Sequence, residues 1–292
     1  MSKVLITGDK GYIGTKLKSF LKKKEVTVFT LKKRIDKDFI KNKNLPIADI
    51  VVHLAAKTNV PKSWNYEDDY IVHNINSTKY ILDYCVKNKC KMIFISSYLY
   101  GNTKKIPTSE KSVLKTLNPY ALSKKMCEDM CYFYEKYYGI NLIIIRPFNI
   151  YGPGMGQYDY RIFPNFISNI LNNKKIKIYG SGNQTRTYCY ITDALEGFIR
   201  VICSGKSGEA YNIGNNTPEV SVKEIFKIFQ NIHKSKINAS IINHPKSYPK
   251  DEPQRRCPDI NKAKKDLNYK PKIKLKDGLK KYLEWAKIHY KY

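Results

Sequence analysis

The stretch Lys3-Val4-Leu5-Ile6-Thr7-Gly8-Asp9-Lys10-Gly11-Tyr12-Ile13-Gly14 decides the fold. Lys3–Thr7 is a short apolar run that ends on a glycine, as a buried strand does. From Tyr12 to Lys23 the apolar residues Ile13, Leu17, Phe20 and Leu21 recur at helical spacing. Three glycines between a strand and a helix have a physical use. Gly8 and Gly11 let the backbone approach a pyrophosphate, and Gly14 lets the helix lie close on the sheet. The helix N-terminus, opened by Tyr12 and Ile13, adds partial positive charge. The competing reading is an ordinary tight turn, but a strand before and a helix after favour a dinucleotide site.

Working outward, strand and helix signals alternate. Val26–Phe29 and Ile47–Leu54 read as strands, Tyr66–Lys87 as a long helix and Lys91–Ser96 as a strand. The helix Tyr120–Tyr138 and the strand Asn141–Arg146 follow. Repeated strand-helix-strand units predict an α/β fold with a doubly wound parallel sheet of the Rossmann type. After Phe148 the chain becomes loop-rich, at Tyr151-Gly-Pro-Gly-Met-Gly156 and Gly180-Ser-Gly182, which predicts a smaller, irregular α/β substrate-binding region. The expected division is a dinucleotide-binding domain over 1–153, to which the chain returns around 188–214, and a substrate region over most of 154–292. Pro245–Pro258 reads as a charged loop and Leu275–His289 as a closing amphipathic helix.

Composition narrows the classes. A chain of 292 residues with 42% hydrophobic content buries an ample core. No window approaches a membrane span, and MSKVLITG runs into a strand rather than a leader, so no membrane partner is expected and the cytoplasm is the expected compartment. Seven cysteines without a CxxC pair argue against a disulfide framework and against a metal site. The net charge of +28 is scattered along the chain rather than gathered in one arm, which speaks against a specific nucleic-acid partner. It still favours anionic small molecules.

Two further stretches carry chemistry. An NAD site places an acid at the end of the second strand, where it accepts from the ribose hydroxyls, but this strand ends Val28-Phe29-Thr30-Leu31. Lys32, Lys33 and Arg34 follow, suited to a 2′-phosphate or merely to solvent, so NAD(H) and NADP(H) both stand as cofactors. Tyr120-Ala-Leu-Ser-Lys124 places a phenol and an ammonium one helical turn apart, 24 residues after Ser96. A cation there would favour the phenolate and make Tyr120 a general base; in a chain so rich in Tyr and Lys, a solvated helix face is the competing reading.

Taken together and in order, these stretches resemble the extended short-chain dehydrogenase/reductase family, in its nucleotide-sugar epimerase, dehydratase and reductase branch. The likeness spans nearly the whole chain. It rests on Thr7-Gly8-x-x-Gly11-x-x-Gly14, Val52-His53-Leu54-Ala55-Ala56, Asn74-x-x-Ser77-Thr78 and Ser96-Ser97-Tyr98-Leu99-Tyr100-Gly101. It continues through Tyr120-x-x-x-Lys124, Arg146-Pro-Phe-Asn149-Ile-Tyr-Gly-Pro153, Gly180-Ser-Gly-Asn-Gln-Thr-Arg186 and Arg255-Arg256-Cys-Pro-Asp259.

The resemblance implies that Ser96 hydrogen-bonds the reacting sugar oxygen, that Tyr120 transfers its proton, and that Lys124 lowers the Tyr120 pKa and holds the nicotinamide ribose. It implies cofactor contacts from Gly8, Gly11, Tyr12, Ile13, Gly14, Lys32, Arg34, Leu54, Ala55, Ala56 and Asn74. It places the nucleotide-diphosphate sugar against Ser97, Tyr98, Asn149, Arg186 and one of Arg255 and Arg256, guanidinium forks being suited to diphosphate. Arg146 reads as structural, and His53 as packing near the cofactor rather than as a base.

Departures narrow the reaction. The 4,6-dehydratases carry an Asp-Glu pair after the catalytic hydroxyl residue, and decarboxylases a Glu at the second of those positions; here they are Ser97 and Tyr98. The expectation is therefore an NAD(P)-dependent epimerase acting at sugar C4 through a transient ketone, with an NADPH-dependent 4-ketoreductase as the alternative. A non-catalytic nucleotide- or RNA-binding protein on the same fold is the alternative of a different class. A homodimer is expected from the resemblance, through apolar positions of Tyr66–Lys87 and Met126–Tyr137.

Overall fold

The computed structural model describes residues 2–31, 34–39, 41–42, 44–233, 237–243 and 252–292. Along the chain run β1 (Lys3–Thr7), α1 (Tyr12–Lys22), β2 (Thr27–Thr30), β3 (Ile50–His53), α2 (Val60–Ser63), α3 (Glu67–Asn88), β4 (Lys91–Ile95), α4 (Pro119–Tyr138) and β5 (Leu142–Pro147). Next come β6 (Ile150–Tyr151), α5 (Ile162–Leu171), β7 (Ile176–Tyr179), β8 (Thr185–Arg186), β9 (Cys189–Tyr190), α6 (Ile191–Ser204) and β10 (Ala210–Ile213). The chain closes with β11 (Val220–Ser221), α7 (Val222–His233), β12 (Ala239–Ile242), β13 (Arg255–Arg256), α8 (Asn261–Leu267) and α9 (Leu275–His289).

Six parallel strands form the central sheet in the order β10-β5-β4-β3-β1-β2. The chain leaves β1 in both directions, to β2 on one side and through β3 to β10 on the other. That reversal leaves a crevice at the carboxyl ends of β1 and β3, where α/β sheets bind ligands. Side chains alternate across each strand into two separate cores. Val4, Ile6, Val52, Ile93, Ile95, Ile143 and Ile145 pack on one face with α1, α6, α8 and α9. Leu5, Val51, Met92, Phe94, Leu142 and Ile144 pack on the other with α3 and α4. Both faces are covered, so these strands are near-continuous apolar runs.

The third strand is shorter than its apolar run, Ile47–Leu54, predicts. The Tyr84 hydroxyl donates to the Pro46 carbonyl and accepts from the Ala48 N–H, which holds 46–48 as a loop. Helix α4 begins where expected because Asn118 caps it, its side chain accepting from Ala121 N–H at 2.8 Å, with Pro119 at the first turn; Gly139 ends it at φ +65°. Smaller sheets, β11-β8-β13, β12-β7 and β6-β9, lie beyond the main one. The charged loop expected over Pro245–Pro258 contributes β13, while its residues 245–251 lie outside the described residues.

Candidate active site

The glycine-rich turn is built to a tolerance that admits no side chains. Gly8 has φ +71°, and a Cβ there would stand 2.7 Å from Ala55 N; a Cβ on Gly14 would stand 2.2 Å from the Gly8 carbonyl oxygen. Gly11 N–H closes the turn on Gly8 O at 3.0 Å, and the first intrahelical bond of α1 runs from Thr15 N–H to Gly11 O. The first-turn amides of Tyr12, Ile13 and Gly14 have no intrahelical acceptor by helix geometry, which suits them to an anion. Asp9, inside the turn, is neutralised by Lys18 at 2.7 Å. The donors and the close backbone approach both fit a dinucleotide pyrophosphate.

Beside this cradle, Thr7 Oγ1 accepts from Ala55 N–H at 3.2 Å and pairs with His53 Nδ1 at 2.7 Å, while His53 Nε2 pairs with Thr78 Oγ1 at 3.2 Å. These bonds fix the Leu54-Ala55-Ala56 segment at the end of β3. His53 is wholly buried, and desolvation, reinforced by Lys124, pushes its pKa down to about 3. It is a neutral structural link rather than a base.

Asn74, expected from the resemblance to contact the cofactor, also makes three hydrogen bonds within the protein. Its Oδ1 accepts from Lys57 N–H at 2.8 Å, and its Nδ2 donates to Lys57 O at 3.2 Å and to Ser123 Oγ at 2.9 Å. The amide is thus engaged on both ends, tying α3 to α4 and to the segment after Ala56. Tyr12 also turns its ring inward, into the space left by Gly152 and Gly154, with its hydroxyl buried and without a partner among the described residues. What it presents to the crevice is backbone. Arg34 is exposed beyond β2, and Lys32 lies outside the described residues.

Ser96 follows β4 directly, with its N–H on the Ile145 carbonyl at 2.8 Å. Its Oγ is buried and has no hydrogen-bond partner among the described residues. Tyr120 sits in the first turn of α4 and is 9% exposed. Burial pushes its pKa up to about 12; the Ser97 side chain opposes this, Tyr160 adds to it, and the Arg161 guanidinium opposes it again.

The expected partner cation, Lys124, lies over the Phe94 ring with Nζ 4.1 Å from the centroid. It is 2% exposed, and burial lowers its pKa against the opposing pull of Cys127, Cys131 and Glu128. Spacing puts Tyr120 and Lys124 on one helix face, but the long Lys stem turns onto Phe94, so Arg161 and Ser97 are the groups that most favour the phenolate.

Arg161 reaches this region from the start of α5, gripped by Asp159 through Nε at 2.8 Å and Nη2 at 2.6 Å. The loop carrying it is anchored by the chain terminus: Tyr290 donates to Met155 O at 3.0 Å, and Lys291 N–H donates to Gln157 at 2.9 Å. Arg161 is not among the site residues named from the sequence. A guanidinium with a carboxylate two residues before it was the available signal.

The residues expected to hold the diphosphate divide. Arg256 lies over the Tyr98 ring, 4.7 Å from its centroid, and Tyr98 is itself fixed by its hydroxyl bond to Gly101 O at 2.6 Å. Arg186 joins Arg256 through Glu252. Arg255 instead points out, 57% exposed, in a two-pronged pair with Glu219 at 2.9 and 2.6 Å. Neighbours on a strand face opposite ways, so only one of the two arginines can enter the site. Asn149 adopts φ +41° and donates to Thr187 O at 2.8 Å, and Thr187 Oγ1 is buried without a partner among the described residues.

Arg146 is structural, as the sequence suggests. It makes a two-pronged, almost fully buried pair with Glu128 at 3.0 and 2.6 Å, and donates to Tyr100 at 3.0 Å and Glu110 O at 3.2 Å. Six of the seven cysteines are buried and Cys203 is exposed; all are free thiols.

The profile of the NAD dependent epimerase/dehydratase family matches residues 4–214. The chain belongs to this family. Among its relatives is the human dTDP-D-glucose 4,6-dehydratase, 34% identical over 83% of this chain and 69% of the human protein. An uncharacterised UDP-glucose epimerase of Bacillus subtilis is 32% identical over 95% of both chains. Among solved structures, the UDP-glucuronic acid 4-epimerase of Bacillus cereus, bound to UDP-glucuronic acid and NAD, superposes with a TM-score of 0.86. It is 28% identical, and the match covers 99% of this chain and all of that one. As a member of the NAD dependent epimerase/dehydratase family the chain is an NAD(P)-dependent enzyme on an extended short-chain dehydrogenase/reductase fold. No described helix is long and apolar enough to cross a membrane.

Proposed function

We propose that this protein is a nucleotide-sugar epimerase acting at C4 of the sugar, with residues 1–153 and 188–214 forming the dinucleotide domain and most of the rest the sugar-nucleotide region. Bound NAD(P) supplies the hydride acceptor and donor. The chain's own groups do the rest. Arg186 and Arg256 hold the diphosphate, with Tyr98 as a platform beneath Arg256 and Asn149 beside Thr187 at its edge. The unpartnered Ser96 hydroxyl donates to the C4 oxygen. Tyr120, favoured as phenolate by Ser97 and Arg161, removes the C4 hydroxyl proton and later returns it. Arg255 takes no part.

The observation that carries this reading, against elimination of water, is what stands at positions 97 and 98. Ser97 carries a hydroxyl that opposes the rise of the Tyr120 pKa, and Tyr98 is fixed between Gly101 and Arg256. Neither can supply a carboxyl acid or base. A 4-ketoreductase is the second reading, favoured by the end of β2, which carries Thr30 and Leu31 with Arg34 beyond and no acid on a ribose.

A homodimer is also proposed. The exposed apolar side chains Leu122, Met126, Phe133 and Tyr137 recur along α4, with Val72 exposed on the α3 that packs against it.

Purified protein incubated with UDP-, dTDP-, GDP- and CDP-sugars tests the reading. An epimerase retains its cofactor by native mass spectrometry and equilibrates two sugar isomers without net cofactor consumption, and Tyr120→Phe abolishes this. Stoichiometric NADPH loss with a 4-keto sugar establishes the reductase instead. Release of water to a 4-keto-6-deoxy product would sink both.

A further inference from the structure

One carboxylate oxygen serves both guanidiniums of the diphosphate site. Glu252 Oε1 lies 2.5 Å from Arg256 Nη2 and 3.1 Å from Arg186 Nη2. A bridging oxygen between two arginines is the arrangement a phosphoryl oxygen takes. We propose that Glu252 is an internal ligand of this site, displaced by the diphosphate, so that its charge sets how strongly anionic a ligand must be to enter. This rests on the reading that Arg186 and Arg256 hold the diphosphate.

A merely structural role, in which Glu252 holds the guanidiniums in place, fits the geometry less well. Arg186 is oriented by backbone without it: Nη1 donates to Thr185 O at 2.8 Å and Gln254 O at 3.0 Å, and Nη2 to Pro253 O at 2.6 Å. Arg256 is oriented by the Tyr98 ring beneath it and by its place in β13, where its carbonyl accepts from Thr187 N–H at 3.1 Å. Both forks therefore stay aimed when the carboxylate leaves.

Two further observations point to an anion larger than a carboxylate. Arg256 Nε is buried and has no acceptor among the described residues, so the cluster offers a donor that Glu252 does not use. A single carboxylate bridges the two guanidiniums, and a diphosphate brings more acceptor oxygens to the same pair. The ligand class is accordingly a nucleoside diphosphate, bound in exchange for Glu252.

The test is calorimetric titration of UDP and of dTDP into wild type, Glu252→Gln, Glu252→Ala and Arg256→Gln, each checked for cooperative thermal unfolding. Glu252→Gln and Glu252→Ala should bind the diphosphates about tenfold more tightly, the worth of a charge-assisted hydrogen bond no longer competed away. Arg256→Gln should bind them more weakly. Unchanged or weaker binding in whichever Glu252 variant is folded, with Arg256→Gln also weakened, overturns the internal-ligand role alone. Unchanged binding in Arg256→Gln overturns the underlying placement of the diphosphate.

Discussion

The Ser97 side chain opposes the burial-driven rise of the Tyr120 pKa, and it stands one residue beyond Ser96, whose buried hydroxyl has no partner among the described residues. On the proposed mechanism the two serines divide the labour: Ser97 tunes the phenol, and Ser96 donates to the sugar oxygen on which the phenol acts. Because burial raises the Tyr120 pKa to about 12 and Ser97 opposes it, removing that hydroxyl raises the pKa further. Ser97→Ala should therefore lose turnover at neutral pH and regain it in alkali, its rate-against-pH curve moving up by about one pH unit. An unchanged curve would show that Ser97 does not tune the base.

The buried Arg146 and Glu128 pair predicts a large, asymmetric stability effect. Truncating one partner leaves an uncompensated charge among apolar neighbours, so Arg146→Met should cost about 3–5 kcal/mol in denaturant unfolding. Replacing both, as Arg146→Met with Glu128→Leu, should return much of it. If the double variant is no better than the single, the loss comes from packing rather than charge.

His53 predicts an acid-side instability. Its folded pKa is lowered from 6.5 to about 3 by burial, with Lys124 and His73 adding to the effect. The unfolded chain therefore takes up a proton that the folded chain refuses. This contribution to stability is intact above about pH 6.5 and is lost as pH falls toward 3, at up to about 1.4 kcal/mol per pH unit. His53→Gln, which keeps a polar link between Thr7 and Thr78, should show a shallower decline over that window. Parallel curves for the two proteins would refute the assignment.

Gly14→Ala tests the cradle. The added Cβ meets the Gly8 carbonyl at 2.2 Å, a backbone atom that cannot rotate away. Helix α1 must move off the turn, at a cost of about 1–3 kcal/mol, and the first-turn amides with it. Affinity for NAD and NADP, measured by quenching of protein fluorescence, should fall together with the melting temperature. Retained affinity in a folded variant would mean that the cofactor does not depend on this contact.

Much of the fold was legible because its signals are local. The glycine spacing in 8–14, the apolar runs of β1, β4 and β5, and Asn118-Pro119 before α4 each carry their meaning within a few residues. The candidate site was legible as a set of residue types but not as a geometry. Tyr120 and Lys124 share a helix face, yet nothing in their spacing says that the Lys124 stem folds onto Phe94, a residue on β4, while Arg161 arrives from beyond β6. The residue type of Asn74 says nothing of its bonds to Lys57 and Ser123, which tie α3 to α4. Arg255 and Arg256 were indistinguishable until β13 paired with β8 and sent one toward Tyr98 and the other toward Glu219.

By itself, then, the sequence determined the doubly wound sheet, the glycine-rich turn and the inventory of hydroxyls, phenol and guanidiniums, because backbone conformation and side-chain period are set by near neighbours. Only the tertiary structure decided which of those groups touch. Lys124 over Phe94, Asp159 on Arg161 in a loop tied to the chain terminus, and Glu252 across Arg186 and Arg256 are contacts made by rotatable side chains. Their direction is chosen by burial and by the nearest opposite charge, and those are properties of the packed molecule.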